Sequence, residues 1–211
     1  GLNVPIQYGA RVSGRINKDW RIGAMTMQTA EVSENALPSQ NFTVMSLQRQ
    51  VGARSNIGAI FVNKQSLRYN PDATEDGKPI YSEFNRNAGL EYNLASSNNL
   101  WTGKAMVLQS FGPDNVGNGF VHAANLKYAS GNLTWNWQHE YVSESYTAEV
   151  GYVPRRGYYK INPSGGYLFF PKSEKILSHG PEFGSTFFWN KNGVKTDNTT
   201  FLAYNSRWRS Q

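Results

Sequence analysis

Phe120-Val-His-Ala-Ala-Asn-Leu-Lys-Tyr-Ala-Ser130, then Gly131-Asn132, then Leu133-Thr-Trp-Asn-Trp-Gln-His-Glu-Tyr141 is the stretch whose reading decides the fold. After the glycine the odd positions are Leu133, Trp135, Trp137, His139 and Tyr141, and the even ones are Thr134, Asn136, Gln138 and Glu140. A period of two belongs to a strand with one apolar and one polar face. Before the glycine, Ala124, Leu126 and Tyr128 alternate with Asn125 and Lys127. Gly131-Asn132 tolerates positive φ and predicts a tight turn, so the whole stretch predicts a β-hairpin. A soluble sandwich would pack Val, Ile and Leu onto a second sheet. Here the apolar side carries Trp and Tyr, which favour a membrane–water boundary.

Composition agrees. The 211 residues are 39% hydrophobic and 14% aromatic, with a formal charge of +6. No stretch approaches the roughly 18 apolar residues of a membrane helix. A chain that is polar on average still suits a transmembrane barrel, because half of each strand faces water. The lack of cysteine excludes disulfides, thiolate metal sites and a cysteine nucleophile. The basic residues are scattered along the chain, which argues against nucleic acid as a partner. The chain starts at Gly1, close to its first strand, and reads as a mature or partial segment of a longer protein.

Working outward from the hairpin, strands are predicted at about 6–16, 20–31, 41–51, 56–66, 85–95 and 100–111. Short turns at 17–19, 52–55 and 96–99 alternate with longer loops at 32–40, 68–83 and 112–119. Strands of about ten residues joined alternately by short and long connections are the pattern of an outer-membrane barrel. Beyond Ser143 a long external loop, 143–157, is expected. Three more strands follow, at about 158–170, 175–189 and 194–209, the first interrupted by Pro163 and Gly165-Gly166. The expected fold is all-β: an antiparallel transmembrane β-barrel, one domain over 1–211. About eleven strands are one short of an even number, so the chain is expected to form part of a barrel of twelve or more.

Four stretches carry a family resemblance. They are Tyr8-Gly-Ala-Arg-Val-Ser-Gly14, Met27-Gln-Thr29, Val51-Gly-Ala-Arg-Ser-Asn-Ile-Gly-Ala-Ile-Phe61 and Val150-Gly-Tyr-Val-Pro-Arg-Arg156. Together they resemble the barrel of Bacteroidota proteins known as domain of unknown function 5916, the segment around Arg54 being the most specific. In that family the barrel follows a domain resembling family-nine carbohydrate-binding modules. No such domain is present in this chain, so sugar binding does not carry over. The resemblance implies an outer-membrane barrel and assigns no catalytic residue.

Candidate site residues fall into three groups. Arg11, Arg15, Glu91 and Glu140 are expected to face the lumen, the arginines pairing with the glutamates across the barrel rather than selecting anionic solutes. Tyr152, Arg155, Arg156 and Tyr158 are expected on the external loop as partner contacts, since paired arginines among tyrosines resemble an interface. Trp20, Trp101, Trp135, Trp137 and Trp189 are expected in the membrane girdle rather than on a sugar-stacking platform. The partners implied are the lipid bilayer, lipopolysaccharide and other envelope proteins. The expected role is a structural anchor or complex subunit of the outer membrane, with a solute channel as the alternative. A membrane-embedded hydrolase is an outside alternative. His139 and Ser143 sit on one strand about 13 Å apart, too far for a catalytic pair. The three histidines lack zinc spacing, and no cofactor or metal site is expected.

Overall fold

A computed structural model of the protein describes residues 3–75, 78–113 and 115–209. The strands are β1 (Ile6–Arg15), β2 (Trp20–Thr29), β3 (Gln40–Val51), β4 (Ser55–Ser66), β5 (Thr74–Glu75), β6 (Lys78–Pro79), β7 (Phe84–Ala95), β8 (Trp101–Gly112), β9 (Asn115–Ala129), β10 (Leu133–Val142), β11 (Tyr158–Tyr167), β12 (Ile176–Asn190) and β13 (Lys195–Trp208). Apart from β5 and β6, which pair with each other, they form one sheet of eleven strands, each bonded to its neighbours in chain order. Every pairing is antiparallel. Among the described residues β1 and β13 have no second partner, so the sheet is open. No helix of the described residues is long and apolar enough to cross a membrane.

The predicted strand limits lie within a few residues of those observed, except for the hairpin's first arm. The loop expected at 112–119 is mostly ladder: Phe111 pairs with Val116 and Gly112 with Asn115, after a bulge at Ser110. Asp114, inside that loop, lies outside the described residues. At the deciding hairpin, neither Gly131 nor Asn132 adopts positive φ. The turn is held instead by Ser130, whose N–H donates to the Leu133 carbonyl and whose Oγ accepts from the Leu133 N–H at 3.0 Å. Pro163 sits inside β11, where its missing N–H would break a ladder. Pairing with β12 stops at Ile161 and resumes at Ser164, so the missing donor falls in that gap.

Cross-strand partners share a face, so the register sorts every side chain. One face runs from Val12 through Ile22, Leu47, Ala59, Leu90 and Val107 to Leu126, Trp137, Ile161, Phe187 and, past β12, Asn198. Aromatic side chains mark both of its ends. Trp20, Trp101, Tyr128 and Trp135 lie next to the short turns. Phe84, Phe111, Phe120, Tyr141, Tyr159 and Trp189 lie next to the long loops. Among the described residues nothing packs over this band: Leu90 is 58% exposed and Met45 52%. The opposite face carries Arg11, Ser46, Asn56, Glu91, Lys104, Asn125, Gln138 and Lys160. Towards the long loops this second face turns apolar, and there lies the sheet's hydrophobic cluster: Val121, Val142, Tyr146 and Tyr158.

Candidate functional site

The hydrophobic cluster exists because loop 143–157 folds back over the polar-sided face. Its base is pinned. Ser143 donates its N–H to the Phe120 carbonyl, and its Oγ accepts the Phe120 N–H at 2.8 Å. Gly157 donates to the Val142 carbonyl and takes φ +70°, a conformation costly for any residue with a Cβ. The Tyr146 ring then drops among Val121, Val142 and Tyr158, with Met106, Leu108, Ala148, Val153 and Phe188 around it. Burial pushes the Tyr146 phenol above its ordinary value.

Polar contacts tie the middle of the loop to three strands. Alternation puts Lys64 of β4, Asn85 of β7 and Ser110 of β8 on the loop-bearing face. The Asn85 amide donates to the Thr147 carbonyl at 3.3 Å and to its Oγ1 at 3.0 Å, and its Oδ1 accepts the Glu149 N–H at 3.0 Å. Ser110 Oγ accepts the Thr147 N–H at 3.2 Å. The Lys64 ammonium meets the Glu149 carboxylate at 2.5 Å and donates to Ser82 Oγ at 3.1 Å, and Ser82 also donates to Glu149 at 2.6 Å. Lys64 is 4% exposed, Asn85 1% and Ser110 0%. A buried ammonium persists only with its charge and protons matched, and Glu149 with Ser82 does that. On the other flank Lys191 binds Glu144 at 2.7 Å, and Arg155 binds Asp197 at 3.0 Å and Thr196 at 3.0 Å. The loop is thus a strap fastened from β4 to β13.

The structure distributes the expected residues as follows. Arg11, Arg15, Glu91 and Glu140 do share the loop-bearing face. The expected arginine–glutamate pairing is corrected: Glu91 binds Lys104 at 2.5 Å and Glu140 faces Lys160 at 3.8 Å. Each of these lysines is on the adjacent strand, Lys160 directly opposite Glu140 and Lys104 diagonal to Glu91, whereas β1 is several strands distant. Of the loop group, Tyr152 is 88% exposed and Arg156 is exposed. Arg155 lies over the rings of Tyr158 and Phe188, at 5.5 and 4.9 Å. Tyr158 is a correction: it belongs to β11, is buried beneath the strap and donates its hydroxyl to Glu140. Trp20, Trp101, Trp135, Trp137 and Trp189 all lie on the banded face, with Trp101 and Trp135 6.4 Å apart and Trp101 4.9 Å from Tyr128. His139 is on that face too, 5.4 Å from His122, and accepts from the Trp137 indole at 3.3 Å.

Lys64, Asn85, Ser110 and Glu149 were not singled out from the sequence. Parity alone puts the first three on the loop-bearing face; nothing local links them to residues 37 to 85 positions later. The arrangement does one thing chemically: it seals backbone and charge against the sheet. No protein-family model, no curated protein and no solved structure matches the chain.

Proposed function

We propose that this chain is the wall of a transmembrane β-barrel in a bacterial outer membrane, with loop 143–157 closing one mouth. In this reading it serves as a structural anchor or as a subunit of a larger cell-envelope complex. The observation that carries the reading is the uncovered aromatic-banded face. A dozen large apolar side chains at half exposure would forgo roughly 10–20 kcal/mol in water, comparable with the ~5–15 kcal/mol of a whole domain's stability. Lipid removes that cost. Trp101 and Phe111 are ten positions apart on β8, about 33 Å along a strand. At a tilt of about 40° this gives a band of about 25 Å, the height of a barrel's apolar belt. Trp and Tyr at both ends suit its two interfaces.

The open edges fit the same reading. Ten successive antiparallel pairings leave β1 and β13 running in the same direction. Antiparallel closure therefore takes an odd number of further strands, and twelve is the smallest total. The motif around Arg54 supports placing the barrel with the Bacteroidota family named above. Lipid and lipopolysaccharide are then its immediate surroundings.

A solute channel is the second reading. It is favoured by the polar half of the loop-bearing face, where Lys104, Asn125 and Gln138 line a recess. Conductance in planar bilayers separates the two. The closed reading expects no steady current from the intact protein and a lasting current after residues 146–154 are replaced by a short Gly-Ser linker. Steady current from the unaltered protein would overturn the closed anchor and favour the channel. Monodisperse solubility without detergent would overturn the membrane placement itself.

A further inference from the structure

The fold leaves three arginines without a counter-charge. Arg11 and Arg15 alternate onto the loop-bearing face of β1, and Arg21 joins them from β2, directly opposite Arg15. Like charges placed opposite one another weaken a sheet. None of the three guanidinium groups has an ion pair or a hydrogen bond among the described residues. Glu91 and Glu140 on the same face are taken by Lys104 and Lys160. The turns after β1 and β3 add Lys18 and Arg54 against a single carboxylate, Asp19. These cations are scattered in the sequence. They gather because the two turns lie at the same end of neighbouring hairpins.

β1 is also an open edge. All ten of its residues are exposed, and among the described residues only β2 is bonded to it. Such an edge is a template for a further strand. The alternation of β1 fixes what fits there. Residues opposite Arg11 and Arg15 lie on the loop-bearing face, and those opposite Ala10 and Val12 lie on the aromatic-banded face.

We propose that the open edge of β1 is the docking site for an acidic-faced β-strand of a partner protein. Two of its carboxylates, spaced as Arg11 and Arg15 are, meet those arginines, and its alternate side chains are apolar and continue the lipid-facing band. The inference rests on the barrel reading above, in which the loop-bearing face is the lumen. A second copy of this chain does not fit. Its β13 would run parallel to β1, and the one carboxylate of β13, Asp197, is held by Arg155. Its β1 would bring the same arginines and, laid antiparallel, would invert one copy in the membrane.

Three short peptides test this against the full chain in detergent micelles, followed by fluorescence anisotropy with empty micelles subtracted. The first alternates valine and tyrosine with polar residues and carries two glutamates at the spacing of Arg11 and Arg15. The second has glutamines in their place. The third keeps the glutamates and puts proline midway between them, removing an N–H from the ladder. The expected result is saturable one-to-one binding of the first, about tenfold tighter than the second, equivalent to about 1.4 kcal/mol, and loss of binding by the third. Arg11→Glu combined with Arg15→Glu should turn the preference towards a lysine version of the peptide. Equal affinity for the first two peptides, an undiminished proline peptide or a preference that survives the charge reversal would overturn the proposal. So would the absence of saturable binding above the micelle control. Insertion into lipid vesicles is measured alongside. A chain that inserts yet ignores the charge of the peptide defeats this inference and leaves the barrel standing, whereas a chain soluble without detergent defeats both.

Discussion

Asn85 does more for the strap than any other side chain, since its one amide serves two residues of the loop and one of its own strand. Replacing it by Ala strands the Thr147 carbonyl and the Glu149 N–H at a part-buried site, at about 1 kcal/mol, the low end for a lost partner. Amide exchange at Thr147 and Glu149 should quicken several-fold, measured by mass spectrometry, while exchange in β1 and β2 stays as it was. Lys64 and Glu149 form an asymmetric pair, the lysine enclosed and the glutamate partly open. Glu149→Gln leaves an enclosed ammonium uncompensated and should destabilise more than Lys64→Met, which leaves a carboxylate that water reaches. The double variant should recover stability relative to Glu149→Gln in a urea titration; failure to recover would mean the two do not act as a pair. At this scale the sequence was half legible. Alternation assigned Glu91 and Glu140 to one face with Arg11 and Arg15, but not their partners, because a partner is fixed by register and by loop path. That is why Glu91 was expected to meet an arginine and meets Lys104.

Strands were the most legible feature. Alternation is clean in the strand at 85–95 and in the deciding hairpin, though it blurs at Met25 and Met27, and a one-residue slip would turn a strand's aromatic side chains to the polar face. The connections were less so. Loop 112–119 was read as open chain, yet the ladder runs into it as far as Gly112 and Asn115. A glycine permits a turn without requiring one. Gly180 of β12 is a position where substitution is excluded by space: a Cβ there would lie 1.7 Å from the Tyr167 carbonyl oxygen. Gly180→Ala should detach the end of β11 from β12, seen as faster proteolysis between Tyr167 and Lys175. The two faces should also answer differently to charge. Val107→Lys, in the middle of the band on β8, should cost about 2–4 kcal/mol for folding into lipid vesicles. Gln138→Lys, on the other face of β10, should change it by less than about 1 kcal/mol.

For the molecule as a whole, eleven strands and one long final loop could be read from the order of turns, but the path of that loop could not. Its sequence mixes Tyr, Val and Pro with Glu and two arginines, a composition that fits a solvated surface as readily as a packed one. The structure decides by bringing Tyr146 into the sheet's cluster and leaving Tyr152 in solvent. The strap also has a bearing on how the protein assembles. Every sheet contact joins neighbours in the chain, so the meander can zip hairpin by hairpin with little loop-closure entropy. The fastening of Glu149 to Lys64 spans 85 positions and can only form after β4 and β10 are both in place. We expect it to form late, after the rate-limiting barrier. Stopped-flow kinetics should therefore find that loosening it leaves the refolding rate nearly unchanged and accelerates unfolding; the strap lengthens the lifetime of the finished fold without guiding the search for it.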